Sequence, residues 1–271
     1  MTDTSSFIPN QQGVSSDCLY NLKPSSVRAR SYRASVLPTN KSSFAPGDVG
    51  IFYIPGGRKN TFLDTSQTYV RYTVQNNDLV NSLWFDGCGA SVINRLDVFH
   101  GSNMLETIQS YNVLYNYILD FQINIANKCG LSSCYGTGQS PTPTTRQGLP
   151  IAIATAGTPI RATVCMPVLS SVVGTGLDKM LPIGELNDDI RLEFTFESVT
   201  AGMVFATAAQ GGYVAGQTSS WSIINMELEL TIIELSDEGM GMVRNMTPFS
   251  SPVYLHGNSW RHYTSALPDI F

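Results

Sequence analysis

The sequence predicts an all-β protein, an antiparallel eight-stranded jelly-roll β-sandwich with one inserted helix over about 106–128 and long end loops. Three observations favour this fold class. Apolar and polar residues alternate with a period of two in most apolar runs, which is typical of strands in antiparallel sheets with one buried face. Strands and helices do not alternate, so a parallel α/β fold is disfavoured. Long loops separate the strands, and the jelly roll is a common large sandwich of this kind.

The first predicted strands follow a polar segment. Residues 1–28 carry few apolar side chains and predict an extended N-terminal arm. Four apolar runs with strand-like patterns come next, and turn signals such as Pro38 end them. These runs lie at 32–36, 49–54, 70–74 and 96–98.

One segment has the periodicity of a helix. Its apolar side chains recur at spacings of three and four residues, which predicts one stripe of an amphipathic helix. The stripe consists of Tyr111, Leu114, Ile118, Phe121 and Ile125. We expect this helix to begin near Glu106 and to end at Cys129-Gly130, because glycine commonly follows the last turn of a helix.

Strands resume after a long loop. Residues 130–148 are rich in Gly, Ser, Thr and Pro, and residues 200–220 are rich in Ala, Gly, Thr and Gln. Both compositions predict loops. Alternating runs at 160–166, 190–196 and 224–233 predict three further strands, of which the last is the longest.

The last predicted strand has one apolar and one largely polar face. Glu227 and Glu229 lie on the polar face, and we expect the chain to be irregular from Gly239 onward. The residues expected to share the apolar face are Ile224, Met226, Leu228, Leu230 and Ile232.

These elements predict three parts of the chain. An extended arm spans 1–28, the jelly-roll barrel spans 29–238, and a C-terminal tail spans 239–271. The tail contains an echo of the first strand, since residues 30–38 and 260–268 have Ser, Leu and Pro at matching positions. This echo is either a chance match or the start of a second, related barrel.

The composition restricts the classes of function. The chain has 271 residues, a formal net charge of −5 and only 14% charged residues, against about 25% in ordinary globular proteins. Disorder, a coiled coil and packaging of nucleic acid by bulk positive charge are therefore excluded. So few charges favour a surface that other subunits cover, although a mainly β chain also needs fewer Lys and Glu residues. We expect no secretion signal and no membrane span.

The cysteines favour a reducing compartment. The chain has five of them, and no two form a CxxC pair. We expect mostly buried, free thiols, with a local disulfide between Cys129 and Cys134 as the alternative. The other cysteines are Cys18, Cys88 and Cys165.

No histidine or acidic residues have the spacing of a catalytic or metal site. The three histidines lie too far apart for the paired-histidine motifs of zinc enzymes and cupins. Two acidic pairs lie at predicted strand ends. Residues that form turns there are a simpler interpretation of these pairs than a Ca²⁺ site or an acid–base pair. These residues are His100, His256 and His262, and the pairs Asp188-Asp189 and Asp237-Glu238.

Two other clusters have both a structural and a functional interpretation. Arg58-Lys59 is either a solvated turn or a contact for phosphate or a subunit carboxylate. Tyr111, Tyr115 and Tyr117 are either packing residues of the helix or a stacking platform. We expect no catalytic, cofactor-binding or metal-binding residue, and therefore no enzyme.

Two runs of sequence resemble the early strands of viral major capsid proteins. The first is YIPGGRKNTFLDTSQTYVRY at 53–72, and the second is SVINRLDVFHGSNMLE at 91–106, followed by IQSYNVL at 108–114. The order Ile-Asn-Arg, Gly-Ser, Glu and Tyr-Asn is similar to that in double jelly-roll capsid proteins of the adenovirus-like, polinton-like and virophage group. The resemblance covers about 30–128, and it continues to about 235 in strand pattern only.

This resemblance implies a structural capsid protein of the virion. It would assemble into an icosahedral shell through trimeric or pseudo-hexameric capsomers, with copies of itself and other capsid proteins as partners and weak contact with packaged nucleic acid. Members of that family usually carry two barrels, whereas 271 residues hold one barrel and a tail. The chain is thus the first barrel of a longer product or a single jelly-roll coat protein. A carbohydrate- or receptor-binding module, such as a spike or lectin domain, and an enzyme of the cupin or glycosidase type are the other classes.

Overall fold

Twelve strands, three α-helices and two short 3-10 helices, Gly89–Val92 and Ile183–Glu185, are present in the part of the chain that this computed structural model describes. None of these helices is long and apolar enough to cross a membrane. The described residues are 28–124, 132–136, 148–152, 158–199, 204–207, 220–246 and 254–263. The strands are β1 (Ala29–Val36), β2 (Ser43–Phe44), β3 (Val49–Ile54), β4 (Thr61–Asn76), β5 (Ser82–Asp86), β6 (Ile93–His100), β7 (Asn103–Ile108), β8 (Gly148–Ile151), β9 (Ile160–Pro167), β10 (Ile190–Phe196), β11 (Val204–Thr207) and β12 (Trp221–Leu235). The helices are α1 (Tyr111–Gln122), α2 (Ser132–Tyr135) and α3 (Asp237–Met246).

Eight of the strands form two principal antiparallel sheets. The first sheet has the order β1-β12-β4-β9, with the two-residue β2 added beside β12, and the second has the order β3-β10-β6-β7. Strands from the two halves of the chain pair in a nested way: β1 with β12, β3 with β10, β4 with β9 and β6 with β7. This nested pairing in two sheets is the topology of a jelly roll. The predicted eight-stranded jelly-roll sandwich is therefore confirmed.

Aromatic and aliphatic side chains from both sheets fill the core. Phe52 and Phe194 meet edge to face with ring centroids 5.8 Å apart, and Phe44 packs on Phe196 at 5.2 Å. Tyr72 is also fully buried, and its hydroxyl donates to a backbone carbonyl at 2.8 Å. Each buried Phe, Leu, Ile or Val contributes about 1.5–3 kcal/mol through its removal from water, so this core holds the sheets together.

The inserted helix is shorter than predicted. The expectation that it begins near Glu106 is wrong, because Glu106 lies in strand β7 and α1 begins at Tyr111. Backbone pairing with β6 holds this segment extended, and Ser110, with a left-handed backbone (φ 52°), separates the strand from the helix. The predicted helix end at Cys129-Gly130 lies outside the described residues.

Strand β12 contains a bulge that simple alternation does not reveal. Asn225 has a left-handed backbone (φ 51°), and the register with β4 shifts between Ile224 and Glu227. In a bulge, two residues of one strand lie opposite a single residue of the partner strand. The bulge therefore changes which of the following side chains face the core. Ile223 is fully buried, and the prediction that Ile224 shares the apolar face is wrong. The residues that do face the core as predicted are Met226, Leu228, Leu230 and Ile232.

The longest strand is β4 and not β12, contrary to the prediction. The two strands have 16 and 15 residues. The pattern missed the first half of β4 because several of its buried positions carry threonine, namely Thr61, Thr65 and Thr68. A buried threonine is counted as polar in the sequence, so the apolar alternation begins only near Val70.

Parts of the predicted loops have regular structure. Strands β5, β8 and β11 form a third antiparallel sheet with the order β11-β5-β8. Because β11 lies within 200–220 and α2 lies within 130–148, the expectation that these segments are wholly irregular is wrong. Pairing with β5 fixes β8 and β11, and local composition does not encode such a tertiary contact.

The C-terminal tail begins with a helix, so the expectation of an irregular chain from Gly239 is wrong. Ser236 caps α3, since its carbonyl accepts a hydrogen bond from Met240 N at 2.9 Å and its hydroxyl accepts one from Gly239 N at 3.2 Å. Asp237 and Glu238 lie in the first turn, where the helix dipole favours negative charge. The sequence contained this start signal, but glycines in the segment disfavoured a helix.

Candidate functional site

The histidines do not meet in one place. His100 ends strand β6, whereas His256 and His262 lie in the extended segment 254–263. Among the described residues, no group of three or more His, Cys, Asp or Glu side chains could hold a metal ion. The absence of catalytic, cofactor-binding and metal-binding residues stays a prediction for the chain as a whole.

The acidic and basic pairs contact their own chain. Asp189 accepts a hydrogen bond at 3.0 Å from the backbone of the turn after β3. Asp237 accepts one from Lys59 Nζ at 2.9 Å, and this bond lowers the pKa of Asp237. Arg58 donates to the hydroxyl of Tyr32 at 3.2 Å. Each contact joins a turn to another element, which is a structural role.

The three helix tyrosines divide between two sides of α1. Tyr111 and Tyr115 are buried, and burial raises the pKa of both phenols. The Tyr111 hydroxyl accepts a hydrogen bond from Leu169 N at 3.0 Å, and the Tyr115 hydroxyl donates to the Pro167 carbonyl at 3.3 Å. Tyr117 is 58% exposed. The three rings therefore do not form one stacking platform.

The cysteines that the structure describes carry thiols. Cys88 is buried, Cys165 is half-buried and Cys134 is exposed, and no disulfide joins these three. Burial raises the pKa of the Cys165 thiol. Only Cys88 of the three is buried, so the expectation of mostly buried thiols is wrong for Cys134. Cys18 and Cys129 lie outside the described residues, and the reduced state of the cysteines stays a prediction.

A buried polar cluster holds α1 against the barrel. Glu197 accepts a hydrogen bond from Asn112 Nδ2 of α1 at 2.7 Å and from Asn94 Nδ2 of β6 at 2.9 Å. We call these three residues the Glu197 clamp. Glu106 of β7 is also buried, and it accepts a hydrogen bond from the Ser170 hydroxyl at 2.5 Å. Buried polar groups that are paired in this way hold a helix in one position.

The clamp gives a physical role to the residues that carry the family resemblance. The Ile-Asn-Arg motif supplies Asn94, and the Tyr-Asn motif supplies Tyr111 and Asn112. Their roles in this chain are to pack and orient α1. Sequence reasoning missed Glu197, whose only signal is a charged residue directly after the alternating strand β10.

The opposite side of α1 is apolar and exposed. Val113, Tyr117 and Phe121 are 53%, 58% and 74% exposed, and the Tyr117 and Phe121 rings lie 4.4 Å apart. We call these three residues the α1 outer face. Met104 and Leu105 of β7 are exposed as well. Exposed apolar side chains that lie together on a surface are candidates for an interaction site.

A groove separates α1 from the extended segment 254–263. The Ser259 hydroxyl of this segment donates to Glu106 at 2.9 Å and so fixes the segment near β7. The groove has a volume of about 210 Å³, and its polar lining includes Arg261 and His262. We call it the α1 groove. Its apolar lining comes from Ile108, Val113, Leu114, Tyr117 and Trp260.

The turn that joins β4 to β5 is a second exposed apolar element. Leu79 and Val80 are 65% and 72% exposed. Asp78 Oδ1 accepts hydrogen bonds from the next two backbone N–H groups beyond Leu79, at 2.8 and 3.0 Å. Asn76 Nδ2 donates to the carbonyl that closes the turn at 3.1 Å. We call residues 76–81 the knob turn, because these bonds hold two apolar side chains out in solvent.

These features define a jelly-roll protein whose described surface presents apolar contact elements. No protein-family model matches the chain, and no curated protein matches it in sequence. Among solved structures, the chain is similar to PBCV-1 VP54, in a crystal structure fitted into a cryo-EM reconstruction of the virophage Sputnik. The identity is 12% and the TM-score 0.47, over 82% of this chain and 46% of that one.

Two other solved structures are also similar to the chain. The PBCV-1 virus capsid gives the same identity of 12%, TM-score of 0.47 and coverage of 82% and 46%. The Faustovirus major capsid protein gives 12% identity and a TM-score of 0.45, over 84% of this chain and 58% of that one. The chain spans about half the length of these proteins.

Proposed function

We propose that the chain is a structural subunit of a viral shell. The observation that carries this proposal is the exposed apolar surface of a rigid jelly roll, at the α1 outer face and the knob turn. The jelly roll is a fold of viral capsid proteins, lectins and cupins. The cupin use requires a metal centre, and the described residues offer no cluster for one. Contact between subunits makes direct use of exposed apolar side chains.

The low charge of the chain supports the same role. Only 14% of the residues are charged, and the cores of protein interfaces are depleted in Lys, Glu and Asp. A subunit with several neighbours in a shell covers more of its surface than a free monomer does. The proposal therefore assigns the chain a structural role without a catalytic residue.

The resemblance at 53–72 and 91–106 supports finer features of the proposal. These are a trimer that acts as a pseudo-hexameric capsomer in an icosahedral virion shell, further capsid proteins as partners, and weak contact with packaged nucleic acid. Residues 1–28 would form an arm toward a neighbour and 29–238 the barrel. Residues 239–271 would then lead into a second barrel, which the echo at 260–268 favours.

Sedimentation velocity of the purified chain at increasing concentrations tests the proposal. We expect a species of at least three chains that dissociates on dilution. A chain that stays monomeric at all concentrations would contradict a shell subunit. A monomer that also binds a defined sugar on a glycan array would instead assign the jelly roll to carbohydrate or receptor binding.

A further inference from the structure

We infer that the knob turn of one copy of the chain docks into the α1 groove of a neighbouring copy. This inference rests on the proposed function, because it names a contact through which shell subunits meet. The knob turn offers Leu79 and Val80, and the groove offers an apolar lining around Tyr117 and Trp260. The two surfaces are complementary in rigidity, size and charge.

The knob turn is already in a fixed conformation before it binds. Asn76 is fully buried, and besides closing the turn its amide donates to the Ala152 carbonyl at 2.9 Å. Asn77 adds a hydrogen bond from its amide to the Ser222 hydroxyl at 3.1 Å. Apolar side chains on a rigid turn lose little conformational freedom on binding. The exposure of Leu79 and Val80 is therefore well suited to an anchor at an interface.

The α1 groove has the size for such an anchor. Its volume of about 210 Å³ lies below the range of about 300–1,000 Å³ that is typical of small-molecule pockets. A pair of aliphatic side chains fits a groove of this size better than a cofactor does. Aromatic walls, here Tyr117 and Trp260, are common in the pockets that receive anchor residues.

The charges beside the two surfaces are opposite. Burial tends to raise the pKa of Asp78, but hydrogen bonds from the backbone N–H groups of Val80 and Asn81 lower it overall. The carboxylate beside the knob therefore carries a negative charge at neutral pH. Arg261, which lines the α1 groove, carries a positive charge. Opposite charges at the edge of an apolar contact orient the partners and disfavour the wrong ones.

The contact joins two different surfaces, the knob turn of one copy and the α1 groove of another. Repetition of such a heterologous contact closes a ring when the rotation between copies allows it. A ring of this kind is compatible with the trimer in the proposed function. It also favours a second copy as the occupant, since the matching anchor is part of every chain.

Cross-linking between copies tests the contact. A Val80→Cys variant and a Tyr117→Cys variant with different tags are mixed and treated with a short bis-maleimide, and the linked peptides are identified by mass spectrometry. We expect a link between positions 80 and 117 of different chains. A mixture of Leu37→Cys and Tyr117→Cys is the matched control, because Leu37 is as exposed as Leu79, at 63% against 65%. No 80–117 link, or equal yield in the control, would overturn the inference.

The association constant gives a second test. We expect Leu79→Asp to weaken association about thirtyfold or more, as for an anchor residue at an interface, and Leu37→Asp to leave it unchanged. Equal association of the wild type and the Leu79→Asp variant would overturn the inference but leave the proposed function intact. A monomeric wild type would instead overturn the proposed function. A link from position 117 to a peptide within 1–27 would assign the groove to the arm and overturn docking by the knob turn.

Discussion

The two sides of α1 differ in what they contact. On the inner side, Tyr111 and Tyr115 are buried and hydrogen-bonded to the end of β9 and the residues just after it. On the outer side, Val113, Tyr117 and Phe121 are exposed. A surface helix normally has one apolar stripe and one polar face, whereas α1 exposes apolar side chains on its outer side as well, beside the exposed Asp120. The inner side serves the stability of the barrel, and the outer side is suited to a partner.

The largest difference in stability between substitutions on the two sides of α1 is expected at the buried Tyr111. Tyr111→Ala removes a fully buried ring, so we expect the free energy of unfolding to fall by about 3–5 kcal/mol in urea denaturation. Tyr117→Ala is the matched control on the outer side, and its loss should stay within about 0.5 kcal/mol. Similar losses for the two variants would show that the sides do not differ in this way.

Substitutions in the Glu197 clamp, on the inner side of α1, are expected to cause a loss of stability of intermediate size. Glu197→Ala removes the acceptor of Asn94 and leaves the Asn112 amide only the Ser91 carbonyl at 3.5 Å. This loss should cost about 1–3 kcal/mol of stability. Asn112→Ala alone and the Glu197→Ala, Asn112→Ala double variant complete a double-mutant cycle. We expect the double variant to lose less than the sum of the single losses. Additive losses would mean that the two side chains act independently.

A smaller effect is expected on the outer face of the first sheet, which is polar where the α1 outer face is apolar. Glu227 Oε2 accepts hydrogen bonds from Arg71 at 2.7 Å and from Ser35 at 2.9 Å. The hydrogen bond with Arg71 lowers the pKa of Glu227. A carboxyl with a lowered pKa stabilises the fold above its unfolded value, about 4.3, and this contribution is lost as the pH falls through the folded value.

Thermal unfolding as a function of pH measures this contribution. We expect Glu227→Gln to be less stable than the wild type at neutral pH by up to about 1 kcal/mol, since the pair is near the surface. The difference should vanish in acid, below the folded pKa. Glu234→Gln, an exposed change on the same strand, controls for the loss of one charge. A difference in stability that does not depend on pH would contradict a contribution from the ionised Glu227 carboxylate.

The sequence predicts those strands in which the residues that face the core are apolar. Alternation located β10, whose inward positions carry Leu192 and Phe194, and a short run of β-branched and aromatic residues located β3, where Phe52 and Ile54 are buried. Alternation missed the start of β4, where threonines are buried, and the bulge at Asn225. Neither the buried threonines nor the bulge can be predicted from local sequence. Whether a threonine is buried, and where the register shifts, depends on contacts with the partner strand.

The exposed apolar surface was less predictable than the fold. The resemblance pointed to Asn94, Tyr111 and Asn112, but not to their structural role, because their partner Glu197 is distant in sequence. The α1 groove could not be predicted, since Trp260 reaches α1 only in the folded chain. The apolar stripe from Tyr111 to Ile125 predicted a helix, but its prediction that Phe121 shares the buried side is wrong, because Phe121 is 74% exposed. Which side of a helix meets the barrel depends on tertiary packing.

Assembly and stability measured together test most directly whether the α1 outer face is a subunit interface. The wild type and a Tyr117→Ser, Phe121→Ser double variant are compared by sedimentation velocity, and by urea denaturation at concentrations where both are monomeric. We expect a wild-type oligomer, a monomeric variant, and free energies of unfolding within about 0.5 kcal/mol of each other. A variant that assembles as the wild type does, or a wild type that stays monomeric, would contradict this function for the α1 outer face.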